Sequence, residues 1–139
     1  MASATDGDTA QHAIDVLGEK ISPARQHSLY QRSQRSFEVA PSSCAEKVHG
    51  FEIGDKATVA VFRDGICLLP TDSQAGEQIK RLSLWHDNRQ ITQNGKGSTK
   101  INLTQTGAEV LGLEKGQHVV VSVRENGVWV QPIDLEAIL

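Results

Sequence analysis

The sequence predicts a mainly β protein with short helices, built from two tandem β-β-α-β-β repeats. The first observation is an internal repeat, because residues 98–134 align with residues 36–72 at a constant offset of 62 positions without a gap. The second is alternation in the last hairpin, where Val119, Val121 and Val123 recur at every other position, as in a half-buried sheet. Ten aligned pairs are identical: Ser36/Ser98, Val48/Val110, Gly50/Gly112, Glu52/Glu114, Gly54/Gly116, Val59/Val121, Val61/Val123, Gly65/Gly127, Pro70/Pro132 and Asp72/Asp134.

The first repeat is assigned to residues 26–72. Its four strands are predicted at residues 26–31, 36–40, 57–63 and 66–70. Between the last two strands, Asp64-Gly65 is typical of a two-residue type I′ turn, which requires positive φ at both residues. We therefore expect these two strands to form a tight hairpin.

A short helix is predicted over residues 42–49 of this repeat. Ser42 or Ser43 is the expected N-cap, because a serine hydroxyl accepts a hydrogen bond from a free N–H group of the first turn. Glu46 stands where it would complete a capping box. Gly50 is expected to end the helix in the left-handed conformation that glycine adopts readily.

The second repeat is assigned to residues 82–134, after a linker at 73–81 that contains at most a short helical turn, and it is followed by a tail at 135–139. Its strands and helix are predicted at residues 82–92, 98–103, 104–112 (the helix), 118–125 and 128–133. Asn126-Gly127 joins the last two strands. Both repeats thus have the same predicted order of elements.

Residues 1–25 form an N-terminal extension with no counterpart in the repeat. Within it, Ala13, Ile14, Val16 and Leu17 are spaced as one face of a short helix. The chain has no run of about 18 apolar residues that would span a membrane. Its N-terminus is polar and acidic, unlike a secretory signal. We therefore expect a cytoplasmic protein.

The helix end and the closing hairpin of each repeat carry a recognisable pattern. In the second repeat it consists of Leu111-Gly112-Leu113, Gly116, the strand 119–123, Asn126-Gly127 and the strand 128–132. This pattern resembles the AbrB/MazE/SpoVT family of swapped-hairpin DNA-binding domains, over roughly residues 26–72 and 82–134. Both repeats depart from the family's usual Ile-Pro before the helix, where Pro41-Ser42 and Leu103-Thr104 stand.

The resemblance implies a swapped-hairpin AbrB-like β-barrel. In that family two copies interlock their hairpins, because a unit of about 45 residues cannot bury enough apolar surface to be stable alone. Here one chain supplies both halves, so the barrel is expected to close within the chain, and a homodimer of tandem chains is the alternative. The resemblance also implies that the first hairpin of each repeat contacts double-stranded DNA.

The basic residues are concentrated in those first hairpins. The whole chain has a net charge of −3, yet residues 22–36 contain three arginines and no acid. Residues 80–100 contain five lysines and arginines and one acid. A local positive patch of this kind is the electrostatic signature of a nucleic-acid interface. The predicted DNA-binding residues are Arg32, Arg35, Lys80, Arg81, Arg89, Lys96 and Lys100.

Other chemistry is weakly indicated. The sequence has no Gly-x-Ser-x-Gly nucleophile elbow and no phosphate-binding glycine loop. His86-Asp87 is a poor general-base pair, because adjacent strand residues point to opposite faces. The five histidines and two cysteines lack metal-ligand spacing. We expect no catalytic residue, cofactor or metal, and Trp85 and Trp129 are assigned to packing or to an interface.

These observations favour a sequence-specific transcriptional regulator, acting as a repressor or autoregulator. One alternative is an antitoxin of the same fold, in which residues 1–25 would bind the protein partner. Another is a small-ligand protein or enzyme on a related cradle-loop barrel, because a fold alone does not determine function.

Overall fold

The computed structural model describes residues 6–33, 36–93 and 99–133, and leaves the side chains of residues 6–8, 32 and 33 undescribed. The predicted tail at 135–139 lies outside these ranges. The helices are α1 (Asp6–Leu17), α2 (Ser43–His49), α3 (Gln74–Leu82) and α4 (Gln105–Leu111). The strands are β1 (Arg25–Ser28), β2 (Tyr30–Ser33), β3 (Ser36–Val39), β4 (Lys56–Val61), β5 (Ile66–Pro70), β6 (Trp85–Gln90), β7 (Thr92–Gln93), β8 (Thr99–Asn102), β9 (His118–Arg124) and β10 (Gly127–Pro132).

The strands form two antiparallel sheets, each built from both repeats. The larger sheet has the order β1-β9-β10-β5-β4-β6, and the smaller has the order β2-β3-β8-β7. The outer strands β1 and β6 each pair with a strand of the other repeat. The prediction of a mainly β fold with short helices is therefore confirmed, and the described strands make two separate sheets, with no closed barrel among them. No helix in the described ranges is long and apolar enough to cross a bilayer.

The strand pairings obey the 62-residue offset of the sequence repeat. Arg25 lies opposite Val121, and the residues 62 positions away, Asp87 and Val59, lie opposite each other in the same way. At the centre of each sheet, equivalent residues of the two repeats face one another. These central pairs are Val39 with Ile101 and Cys67 with Trp129. The two repeats are consequently related by a pseudo-twofold axis that passes through both pairs.

Two apolar layers cover the two faces of the larger sheet. The layer between the sheets contains alternate residues of β4 such as Val59 and Val61, together with Phe37 and Ile101. The layer on the opposite face contains the intervening strand residues and is closed by α1 and α3, which contribute Leu17 and Ile79 among others. The alternation of strand side chains thus directs one half of them into each layer.

Helices α2 and α4 begin and end at equivalent residues. Ser42 and Thr104 are the N-caps, both with positive φ, and their hydroxyl oxygens accept hydrogen bonds from the first turn. Gly50 ends α2 in the left-handed conformation, as predicted, and Gly112 ends α4 in the same way. The expected capping box is wrong, however, because the Glu46 carboxylate accepts instead from the N–H group and the hydroxyl of Thr99 in the other repeat.

The N-terminal extension and the linker are more helical than the sequence predicts. Helix α1 covers 12 residues and buries Ala13 and Leu17 completely. The linker forms most of the nine-residue helix α3, which ends at Leu82 and whose N-cap Ser73 accepts from the Gly76 N–H group. Buried Ile79 anchors α3 to the sheet. Tertiary packing therefore stabilises a helix that local sequence signals only weakly.

The glycines of the two closing hairpins serve close packing and do not adopt positive φ. The predicted type I′ turn at Asp64-Gly65 is wrong, because neither residue has positive φ. A Cβ at Gly65 would lie 2.4 Å from Cζ2 of Trp129 and 2.8 Å from the Val130 carbonyl oxygen. At Gly127 the corresponding contacts are Cδ2 of Leu17 and the Leu68 carbonyl oxygen, at 2.7 and 3.1 Å. Both glycines let the hairpins approach across the pseudo-twofold axis.

Substitution separates these two uses of glycine. Gly65→Ala and Gly65→Asn should destabilise the protein equally, by about 1–3 kcal/mol, because either Cβ overpacks the site. At Gly50, where φ is +68° and the Cβ position is open, Asn should be tolerated better than Ala. Urea unfolding monitored by circular dichroism measures all four variants. Recovery of stability in Gly65→Asn would show that the turn requires positive φ after all.

Candidate nucleic-acid interface

The smaller sheet places the two basic first hairpins next to each other. Strands β3 and β8 pair at its centre, with β2 and β7 on the outside. The central register joins Glu38 to Asn102 and Val39 to Ile101. In this antiparallel register the first residues of β3 and β8, which follow the two turns, lie at opposite ends of the central pair, about 17 Å apart along the strands. The hairpins are thus neighbours. The ends of the strands next to the two turns are separated, however, whereas the sequence predicts that they lie side by side.

Lys100 of β8 is used within this sheet. Its Nζ lies 3.4 Å from Oε1 of Glu38 on β3, and the two side chains are only 16% and 3% exposed. The same ammonium group lies 6.0 Å from the centre of the Tyr30 ring. Because a buried carboxylate without a partner costs several kcal/mol, the ion pair is a structural element. A phosphate would therefore have to compete with Glu38 for Lys100, which weakens the predicted DNA-binding role of Lys100.

The ion pair crosses the pseudo-twofold axis. Lys100 stands 62 positions after Glu38, so the two charges occupy equivalent places in the two repeats. Two identical chains would put like charges at these places. Duplication within one chain allows opposite charges there, and the pair therefore favours closure of the fold within a single chain.

Arg89 lies on β6 at the edge of the larger sheet. It pairs across from Ala57, so its side chain is on the face that carries Val59 and faces the smaller sheet. Its Nη1 atom lies 3.7 Å from Oδ2 of Asp87, and both side chains are more than 40% exposed. An exposed pair of this kind is weak, so Arg89 is accessible to a phosphate.

Lys80 and Arg81 lie apart from the other predicted residues. They belong to α3, which packs on the face of the larger sheet opposite the smaller sheet. Lys80 is within 3.6 Å of Glu77 on the same helix. Arg81 borders a groove between α1 and α3 together with Val16. The sequence expectation that they lead into the second basic turn is not met, because helix α3 carries them away from it.

The three residues predicted at the hairpin turns have undescribed side chains. Arg32 lies on β2, but its side chain is outside the described part of the structure, and Arg35 and Lys96 are outside it altogether. Their predicted role stays a prediction that rests on the sequence.

Two residues near the interface were not among those predicted. Tyr30 is 45% exposed on β2, beside Lys100. Arg25 of β1 borders a cleft of about 270 Å³ together with His27 and Cys44. Arg25 was available to sequence reasoning, since it belongs to the acid-free segment 22–36. Tyr30 was not, because nothing in a single strand sequence shows which face is left exposed.

Two histidines are partly buried, His27 on β1 and His49 at the end of α2. Burial lowers the pKa of His27 below its usual range, and the positive charge of Arg25 lowers it further. Burial also lowers the pKa of His49, although its Nε2 lies 2.9 Å from the Arg124 carbonyl oxygen and hydrogen bonding there opposes the effect. Burial raises the pKa of Cys67 far above its usual range, which keeps that thiol protonated and unreactive. The described residues contain no cluster suited to a metal ion.

Charge exchange at the axis tests the structural role of Lys100. Glu38→Lys alone should lower the free energy of unfolding by about 2–4 kcal/mol, because it leaves two ammonium groups in a buried site. The double exchange Glu38→Lys with Lys100→Glu should regain more than half of the loss, since the positions are related by the pseudo-twofold axis. Denaturant unfolding measures both. A double variant as unstable as the single one would contradict this role.

Acid should destabilise the fold through His27 and His49. The pKa values of both histidines are lowered in the folded state, so the unfolded chain binds more protons below about pH 6.5. The free energy of unfolding therefore decreases as the pH is lowered. Replacing both by Gln should flatten the dependence below about pH 6.5. The exposed His86→Gln is the control. An unchanged pH profile in the double variant would exclude these residues as its cause.

Comparison with known proteins does not identify the chain. No protein-family model matches it, and neither the curated proteins nor the solved structures give a significant match.

Proposed function

We propose that this protein is a sequence-specific DNA-binding transcriptional regulator, a repressor or autoregulator, that contacts operator DNA through its two basic first hairpins. The observation that carries the proposal is the smaller sheet, in which β2-β3 and β8-β7 are adjacent and related by the pseudo-twofold axis. Each hairpin belongs to an acid-poor, basic segment of the sequence. Two symmetric cationic elements suit two half-sites of a pseudo-palindromic duplex.

The exchange of strands between repeats supports the finer architecture of the proposal, a swapped-hairpin AbrB-like fold. Each repeat's first strand leaves its own closing hairpin and pairs with that of the other repeat, as β1 does with β9 and β6 with β4. The two closing hairpins meet through β5 and β10. An interlocked pair of this kind is the arrangement that the sequence resemblance implies.

The proposed contact residues are those of the hairpins and of the edge beside them. They are Arg32, Arg35, Arg89 and Lys96. Lys80 and Arg81 are left out because α3 holds them on the other side of the larger sheet. Lys100 is left out because its charge is paired with Glu38. Phosphate contacts should dominate the affinity, and any base reading by arginine would occur in the major groove.

The antitoxin alternative is less well supported. It requires residues 1–25 to bind a partner, whereas α1 within that segment packs into the fold. Leu17 and Ala13 are fully buried, and the Arg124 guanidinium donates to the Gly18 carbonyl oxygen at 2.7 Å. A segment with these contacts would have to leave its own core before it could wrap a toxin.

DNA binding is measured by fluorescence anisotropy with a duplex selected from a random library. Affinity should fall by about 10³- to 10⁴-fold between about 50 mM and about 200 mM salt if about six to eight phosphates are contacted. Replacing Arg32, Arg35, Arg89 and Lys96 together by Ala should lower the affinity and reduce the slope of log K against log salt by about four.

The matched control removes the same number of charges elsewhere. It replaces Lys47, Lys80, Arg81 and Lys115 by Ala, four residues outside the proposed interface, and should leave the salt slope nearly unchanged. Equal losses in the two variants would show a non-specific effect of net charge. Failure to select any duplex, with the wild-type protein folded, would reject the proposed function.

A further inference from the structure

Strand β6 leaves an open edge on the larger sheet. It is the last strand in the order β1-β9-β10-β5-β4-β6, and among the described residues its backbone pairs only with β4. At its start, Leu84 and Trp85 are 52% and 37% exposed. An open strand edge with apolar residues is a template for pairing with another strand.

The other edge, β1, provides an internal comparison, because it is the equivalent of β6 in the first repeat. There the residues equivalent to Leu84 and Trp85 are Ser22 and Pro23. Strand β1 has four residues and β6 has six. Short length and proline are the usual protections of an edge against association. One edge of the sheet is thus protected, and its pseudo-symmetric partner is not.

The backbone groups that β6 directs outward can be identified. The Ile91 N–H group donates to the Asp55 carbonyl oxygen, on the side of β4. Hydrogen bonding alternates along a strand. The backbone N–H and C=O groups of odd-numbered β6 residues therefore point toward β4, and those of even-numbered residues point away from it. The Asn88 N–H group accordingly donates to its neighbour Asp87 and not to β4. The outward residues are therefore His86, Asn88 and Gln90.

These outward groups allow several self-complementary antiparallel registers, and the one centred on Asn88 places opposite charges across from each other, whereas centring on Asp87 or Arg89 would oppose like charges. Asn88 of one copy lies opposite Asn88 of the second copy, and His86 lies opposite Gln90 in hydrogen-bonded pairs. In this register Asp87 of each copy lies directly opposite Arg89 of the other, on one face of the sheet. Directly opposite side chains have Cβ atoms about 5 Å apart, within reach of an ion pair. The two exposed Asp87–Arg89 pairs, one inside each chain, are then replaced by two pairs between the chains.

We propose that the β6 edge is an interface for a second copy of this chain, in which two β6 strands pair about a twofold axis at Asn88 and join the two larger sheets. The interface is isologous, so it closes at the dimer. Each chain gives up two internal contacts on association, the hydrogen bond between the Asn88 N–H group and Asp87 and the exposed pair of Asp87 with Arg89. The proposal does not depend on DNA binding, since it concerns the protein alone.

Sedimentation velocity of the full chain without DNA, over a range of concentrations at low salt, tests the interface. The wild type should form a dimer. Asp87→Arg or Arg89→Asp should each weaken the dimer about tenfold, because two attractive pairs become two repulsive ones. The double exchange Asp87→Arg with Arg89→Asp should restore the dimerisation constant to within about threefold. Thermal unfolding confirms that each variant is folded.

A proline pair distinguishes the two edges. Gln90→Pro removes an outward donor of β6 and should abolish the dimer, whereas Ser28→Pro, at the equivalent position of β1, should not. The proposal is overturned if the wild-type protein stays monomeric at a protein concentration of about 1 mM, because only a dimer with a very high dissociation constant would escape detection there. A double exchange that fails to recover the dimer does so as well. Loss of the dimer in Ser28→Pro, or open-ended oligomers of the wild type, would indicate pairing of β6 with β1 and also overturn it.

Discussion

The fold depends on pairing between the repeats. The first strand of each repeat adds to the closing hairpin of the other, and β3 meets β8 at the centre of the smaller sheet. The layer between the sheets therefore contains residues of both repeats, such as Val59 and Ile101. Neither repeat keeps its strand partners or its core without the other. We infer that the chain folds as one cooperative unit and that a single repeat would be unstable.

Because both repeats belong to one chain, equivalent positions of the two halves can carry different residues. On the axis, small Cys67 faces large Trp129, and the Trp129 ring fills the space over Gly65. At the equivalent Gly127, Leu17 from α1 occupies the space instead. The N-terminal helix thus packs where the first repeat has the smaller residue. The opposite charges of Glu38 and Lys100 follow the same logic, because only non-identical halves can place an ion pair across the axis.

The sequence was sufficient where a local signal and the repeat agreed. Helix α2 was predicted from its caps and α4 from the repeat, and Gly50 and Gly112 end them in the same conformation. The turn type at Asp64-Gly65 was mispredicted. Glycine is required there because the Trp129 side chain, distant in sequence, leaves no room for a Cβ, and not because the turn needs positive φ.

For the candidate site, the sequence showed which segments are basic, but not which charges are free. The partner of Lys100, Glu38, belongs to the other repeat. Lys80 and Arg81 lie on α3, away from the basic hairpins, and this helix forms mainly through tertiary packing. Arg89 remains exposed on β6, where it enters both proposals, as a phosphate contact and as the partner of Asp87 in a second copy. One guanidinium cannot fully satisfy both partners, so DNA and self-association should oppose each other at this edge. By linkage, a duplex that draws on Arg89 weakens the dimer by the same factor by which the dimer weakens DNA binding.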